Sequence, residues 1–147
     1  MDEAKEAVAR LCREQRVGVL CTQRGGLVHA SLVCLVATDD LKSIIFATPK
    51  NTRKYENMLR DSRVTVMVHD VADKEGRLCG AAAAMAAGRA AEVRGEERAA
   101  LAPLFLEKHA CLKDFVESPD SALMRIAVDA YRVALNVRDV VEFRPGA

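Results

Sequence analysis

Two hydroxyls and three cations, Thr48, Lys50, Thr52, Arg53 and Lys54, fall close together in the stretch Phe46-Ala47-Thr48-Pro49-Lys50-Asn51-Thr52-Arg53-Lys54-Tyr55-Glu56-Asn57. Groups of these types at this spacing suit the capture of a multiply charged anion, most naturally a phosphate monoester. Pro49 and the Asn51-Thr52 pair supply a turn and an N-cap. Tyr55, Met58 and Leu59 then give an apolar face at helical spacing, so a helix is predicted from about Asn51 or Thr52. The first turn of a helix normally carries Asp or Glu, because its unpaired amides and macrodipole are positive. Here Lys50, Arg53 and Lys54 crowd that end, and local rules are broken where function sits. A phosphate held by the cations and the free amides resolves the conflict. The competing account is a solvated basic helix end whose charge is offset by Glu56 and Asp61.

The remaining reactive side chains form weaker constellations. His29, His69 and His109 with Cys12, Cys21, Cys34, Cys79 and Cys111 supply ligand types for a metal, but not at ligand spacing. No metal is expected. Cys34 falls within an apolar strand, where a buried inert thiol is expected, and Cys111 is the expected exposed thiol. An odd number of cysteines without a C-x-x-C pair fits reduced thiols and a cytoplasmic protein. Tyr55, Tyr131 and Phe46 could stack a flat ring or simply serve the core. No acid, base or nucleophile declares itself, so no catalytic residue is assigned.

These groups need a scaffold, and 147 residues of 50% hydrophobic composition make one domain, residues 1–147, with a proper core. A net charge of +1 speaks against a nucleic-acid or membrane-surface partner. The longest apolar run, Leu27 to Ala37, is about half of what a bilayer requires, and the acidic start Met1-Asp2-Glu3-Ala4-Lys5 lacks the apolar segment of a signal peptide.

Along the chain, Ala4, Ala7, Val8, Leu11 and Cys12 predict an amphipathic helix over Glu3 to Glu14. Strands are predicted at Val17 to Thr22, Leu27 to Ala37 and Ser43 to Ala47, turned by Gly25-Gly26 and by Thr38 to Lys42. They form a meander that leads into the basic helix. Val64 to Val68 is a fourth strand and Asp70 to Gly76 a loop. Ala81 to Ala87 has the highest helix propensity in the chain, although Gly80 and Gly88 bracket it. Glu96 to His109 reads as a helix that Pro103 kinks or delays, followed by a short turn through Leu112, Phe115 and Val116. Strands over Leu123 to Leu135 and Val140 to Phe143 close the chain. Six or so antiparallel strands with helices inserted at the ends fit a small barrel.

The order Thr48, then Thr52-Arg53-Lys54, after a strand ending in Phe46, resembles the phosphate-binding signature of the pyridoxamine 5′-phosphate oxidase-like FMN-binding split barrels. The resemblance extends to His29-Ala30-Ser31-Leu32-Val33 upstream, and to Asn57-Met58-Leu59 and Arg63-Val64-Thr65-Val66 downstream. It implies a mainly β fold with inserted helices, a six-stranded antiparallel Greek-key split barrel. It also turns the alanine-rich stretch into a strand, with Ala86 to Val93 matching a family strand. By the same resemblance Thr48, Thr52, Arg53 and Lys54 hold the FMN phosphate, and Ser31, Leu32 and Val33 back the isoalloxazine ring; Asn57, a further candidate, either bonds back to the phosphate turn or faces solvent. The family is usually homodimeric, with flavin in the groove between subunits. Authentic pyridoxamine 5′-phosphate oxidases carry a C-terminal Trp and an Arg-x-His motif, whereas this chain has no Trp and ends Val141-Glu142-Phe143-Arg144-Pro145-Gly146-Ala147. The expected function is therefore an FMN-dependent oxidoreductase or flavin reductase of unassigned substrate, drawing on a nicotinamide or other small reductant and lacking the vitamin B6 reaction. The alternative is a non-catalytic binder of flavin, deazaflavin or haem.

Overall fold

The strands are β1 (Val17–Arg24), β2 (Leu27–Ala37), β3 (Ser43–Pro49), β4 (Arg63–His69), β5 (Ala83–Glu92), β6 (Ser121–Ala134) and β7 (Val140–Phe143). The computed structural model describes residues 2–75, 80–136 and 139–146. All strand pairings are antiparallel, in the order β3-β2-β1-β4-β5-β6-β7, and β3 also pairs β6. The first six strands therefore close into the expected barrel, with β7 added at its outer edge. Two meanders, β1 to β3 and β4 to β6, are joined through the β1–β4 and β3–β6 pairs.

Strand β6 is long because it serves two partners on one edge. Its residues 121–127 pair with β3 and its residues 131–134 with β7, while β5 runs along the other edge. An unbroken period of two cannot satisfy both halves. Ala122, Met124 and Ile126 are buried in the first half and Tyr131 and Val133 in the second, so the inward set changes from even to odd positions. The pairing jumps from Gly88↔Val128 to Ala87↔Ala130 at that point, a β-bulge that absorbs Asp129. Gly88 sits against the bulge so closely that a Cβ there would lie 2.2 Å from the Ala127 carbonyl oxygen.

Among the described residues, four α-helices complete the fold: α1 (Asp2–Glu14), α2 (Arg53–Arg60), α3 (Gly95–Lys108) and α4 (Lys113–Glu117). Ala4, Ala7, Val8 and Leu11 of α1 enter the barrel core beside Leu20, Phe46, Val66 and Tyr131. The inward side chains of β5 in that core are Ala84, Ala86 and Ala90, whose small size leaves room for α1. This explains how an alanine run becomes a strand: pairing on both edges and the packing of α1 outweigh a helix preference of under ~1 kcal/mol per residue. A second cluster lies outside the barrel, where Phe105 of α3 and Val116 of α4 cover Val36, Ile45 and Leu123.

Helix α3 runs through Pro103 from Gly95, so of the expected kink or delayed start the delay does not occur. Both Pro103 and Ala99, whose carbonyl loses its helical donor, are exposed, so water can satisfy the freed group. Within the predicted 70–76 loop, Ala72–Lys74 forms a 3-10 turn. Gly76 of that loop and Arg77 to Cys79 at the head of the alanine-rich stretch lie outside the described residues.

The barrel is split at β2. This strand pairs β1 from Leu27 to Cys34 but β3 only from Leu35 to Ala37. Among the described residues no strand pairs the other edge of Leu27 to Cys34, leaving backbone donors and acceptors free of ladder bonds.

Candidate functional site

Thr52 caps α2 as the sequence predicts. Its backbone is extended, at φ −118° and ψ 155°, and its Oγ1 accepts from the Tyr55 amide at 3.4 Å. The same hydroxyl donates to the Pro49 carbonyl at 2.8 Å and lies 3.2 Å from Thr48 Oγ1. Thr48 is fully buried, and its hydroxyl also reaches the Pro49 carbonyl, at 3.1 Å. It braces the turn from behind, with Thr52 standing between it and the surface. The Lys50 amide donates to the Asp120 carbonyl at 2.8 Å, fixing the turn to the start of β6. The first helical bond, from the Glu56 amide to the Thr52 carbonyl, leaves the amides of Arg53 and Lys54 ahead of the ladder.

The cations at this helix start have different fates. Lys50 Nζ lies 3.9 Å from Glu92 Oε2. Glu56 pairs with Arg24 at 3.2 Å and Arg60 at 3.4 Å, while Asp61 pairs with Arg63 at 2.7 Å. The two carboxylates that could have neutralised the basic cluster are thus engaged elsewhere. Among the described residues neither Arg53 nor Lys54 forms an ion pair, and Arg53 is exposed.

Beside them runs a groove of about 950 Å³ between α2 and the β1–β2 hairpin. Lys50, Asn51, Thr52 and Arg53 line one end, and Leu27, Val28 and Leu59 give it apolar walls. Those three leucine and valine side chains are among the most exposed large hydrophobics of the chain. Leu59, read from the sequence as part of the apolar helix face, is on the groove side, while Met58 enters the core. Tyr55 also lines the groove. Its hydroxyl donates to Glu92 Oε1 at 2.7 Å, and that bond raises the phenol above its ordinary titration range. Arg94 reaches the same carboxylate oxygen at 3.1 Å.

Of the residues singled out from the sequence, Thr52, Arg53 and Asn57 line the groove, Thr48 stands behind it, and Lys54 is half-buried outside its lining. Ser31, Leu32 and Val33 are also outside the lining. They cannot share a face, because successive strand residues alternate. Val33 is buried in the core, Leu32 is 70% exposed on the outer face, and Ser31 Oγ is buried without a hydrogen-bond partner among the described residues. What the three share is the unpaired edge of β2. Asn57 neither returns to the phosphate turn nor faces solvent. It is buried and donates through Nδ2 to Thr22 Oγ1 at 3.1 Å. Sequence reasoning missed Arg24, Leu27, Val28 and His29 as groove residues, and Glu92 behind them. Alternation places His29 on the face of Thr22, its cross-strand partner, but nothing local says that this hairpin reaches α2.

Among the described residues, no cluster of His, Cys, Asp and Glu could hold a metal, and no helix is long and apolar enough to cross a membrane. No curated protein matches the chain in sequence. Solved structures match its fold. A heme binding protein from Mycobacterium smegmatis superposes with TM-score 0.86 at 19% identity, over 97% of this chain and 58% of that one. The chain thus spans little more than half the length of that relative. An FAD-binding protein from Mesorhizobium loti superposes with TM-score 0.69 at 16% identity, over 88% and 92% of the two chains. A protein related to general stress protein 26, of the pyridoxinephosphate oxidase family, from Clostridium acetobutylicum gives 0.76 at 14% identity, over 98% and 96%. The family model described as pyridoxamine 5′-phosphate oxidase matches residues 4–134, which contain all six barrel strands, and the chain belongs to that family.

Proposed function

We propose that this chain binds FMN in the groove between α2 and β2 and serves as an FMN-dependent oxidoreductase or flavin reductase. The observation that carries the reading is the pair of cations Arg53 and Lys54, without an ion pair among the described residues, at the capped start of α2 beside an apolar-walled groove. A terminal phosphate monoester suits two cations and free helix amides, with Thr52 as a further contact and Thr48 as its brace. Leu27, Val28, Leu59 and the Tyr55 ring offer surface for a flat ring. The open edge of β2 through Ser31, Leu32 and Val33 offers amides and carbonyls for that ring's polar rim. When bound, FMN supplies the redox chemistry, and the residues here bind and orient it.

The same reading makes the protein a cytoplasmic homodimer with the flavin between subunits. Its described cysteines are free, which suits a reducing compartment. The exposed Leu32 and Val28 of the β2 outer face favour a second copy as cover. A nicotinamide or other small reductant is the electron source.

The experiment is direct. Native protein should be yellow, release FMN on denaturation, and bleach on anaerobic mixing with NADH or NADPH. A colourless protein with no titratable FMN binding refutes the reading, and bound flavin that no reductant bleaches favours a flavin store. A second reading, haem binding, is favoured by the His29 imidazole in the groove wall and by the heme-binding structural relative. It predicts a haem absorption band that is lost in His29→Ala.

A further inference from the structure

The floor of the groove holds a polar group that the fold itself does not satisfy. Asn57 lines the groove but is only 2% exposed, and its Oδ1 is buried without a hydrogen-bond partner among the described residues. Its Nδ2 is committed to Thr22 Oγ1 at 3.1 Å, and Thr22 is itself 2% exposed, so the amide is anchored from below. Buried side-chain polar atoms are nearly always paired, and an exception beside a groove points to a partner that arrives from outside. Asn57 follows Arg53 by four residues and so shares its helix face, about 6 Å further along the axis.

We infer that Asn57 is a specificity-determining residue that recognises a hydroxyl on the chain next to the ligand's phosphate, so that the groove selects polyhydroxylated phosphate esters over plain alkyl phosphates. The inference rests on the phosphate position proposed above and extends it to the part of the ligand between phosphate and ring. A hydroxyl fits this place better than an amine or a carbonyl. It donates to Oδ1 as the amide now stands, and it would equally accept from the amide turned over. It also adds no charge beside Arg53. The ribityl chain of FMN carries such hydroxyls, which a ligand anchored by carboxylates alone would lack.

Two probes of equal chain length separate this from phosphate binding as such: ribitol 5-phosphate and n-pentyl phosphate, titrated into the full chain by NMR alongside FMN. Wild type should bind the ribitol ester about twofold to tenfold more tightly, the worth of one hydrogen bond. Asn57→Leu should abolish that preference while keeping the pentyl phosphate affinity. If that variant does not fold, Thr22→Val, which frees the amide from its anchor, should reduce the preference severalfold. Equal affinities for the two esters in wild type, or a preference that survives Asn57→Leu, overturn the inference. FMN binding without a hydroxyl preference leaves the flavin reading standing and this one refuted. A hydroxyl preference without FMN binding does the reverse, and no binding of either ester or of FMN refutes both.

Discussion

The hydroxyl of Tyr55 donates to Glu92 Oε1 at 2.7 Å, which joins the first turn of α2 to the end of β5 and leaves Oε2 facing Lys50 Nζ at 3.9 Å. One carboxylate thereby holds an aromatic wall of the groove and a cation of its rim. Lys50 then cannot serve an incoming anion without leaving Glu92, so Glu92→Gln should tighten FMN binding by roughly twofold to fivefold, in line with a part-exposed ion pair of under ~1 kcal/mol. The gain should shrink with added salt. Tyr55→Phe removes no charge and should instead lower stability by about 0.5–1.5 kcal/mol. Fluorescence titration of FMN at two salt concentrations checks this, and weaker binding by Glu92→Gln would mean that Lys50 does not contact the ligand.

Arg53 and Lys54 are set apart because neither forms an ion pair among the described residues, so their removal strands no charged partner there. Arg53→Ala and Lys54→Ala should each weaken FMN binding by roughly 10- to 150-fold, a charge-assisted contact of about 1.5–3 kcal/mol, with little change in thermal stability. Arg53→Lys should also cost affinity, because an ammonium lacks the planar fork that matches phosphate oxygens in pairs. Since Lys54 lies outside the groove lining, the larger loss is expected at Arg53. Equal affinities for wild type and both alanine variants would place the phosphate elsewhere.

Most of the fold was legible because its signals are local. Thr52 as N-cap, Gly25-Gly26 as hairpin turn, and the apolar alternation of β2 each act within a few residues. The bulge in β6 was not, because apolar residues at Ile126, Val128, Ala130 and Tyr131 satisfy either parity until the partners of both edges are known. The candidate site divides the same way. Its helix start reads directly from Thr52-Arg53-Lys54, whereas Glu92 comes from a strand end 38 residues beyond Lys54 and Thr22 from a hairpin arm 35 residues before Asn57. No spacing rule reaches that far.

The bulge makes Gly88 a test of the fold itself. A methyl group there would meet the Ala127 carbonyl at 2.2 Å and the Ile126 Cγ2 atom at 3.0 Å, and the first neighbour is backbone, which cannot swing aside. Gly88→Ala should therefore lower stability by about 1–3 kcal/mol, as overpacking does. Ala87→Gly, one residue away on an exposed strand position, should cost less, about 0.5–1 kcal/mol. Urea unfolding of the two variants decides the order, and a Gly88→Ala protein as stable as wild type would show that β5 does not approach β6 so closely.

The outer face of β2 yields a prediction about assembly. Val28 and Leu32 are 66% and 70% exposed, two large apolar side chains on the same strand face. If a second copy covers them, Leu32→Asp should convert a dimer to a monomer in light scattering at micromolar concentration. It should also weaken FMN binding, since the groove borders the same strand. Wild type that scatters as a single 16.0 kDa chain would remove the dimer from the proposal.

His109 links stability to pH near neutrality. Its ring is 4% exposed, packs against Phe105 with centroids 4.8 Å apart, and its Nε2 lies 2.8 Å from the Leu35 carbonyl oxygen, to which it donates. Burial lowers its pKa, with the positive charge of Lys108 adding to that, and the bond to Leu35 only partly opposes the shift. The folded state therefore keeps His109 neutral. As pH falls below about 6.5, the ordinary histidine value, the unfolded chain takes up a proton that the folded chain resists. More protons on the unfolded state mean that stability declines with falling pH, and the contribution present above that value is lost as pH falls through the lowered folded pKa. His109→Gln, which retains a side-chain donor for Leu35 but does not titrate, should flatten this acid limb while lowering stability at neutral pH by about 1 kcal/mol. Urea denaturation of both proteins from neutral to mildly acid pH measures it, and parallel acid limbs would assign the pH dependence to other groups.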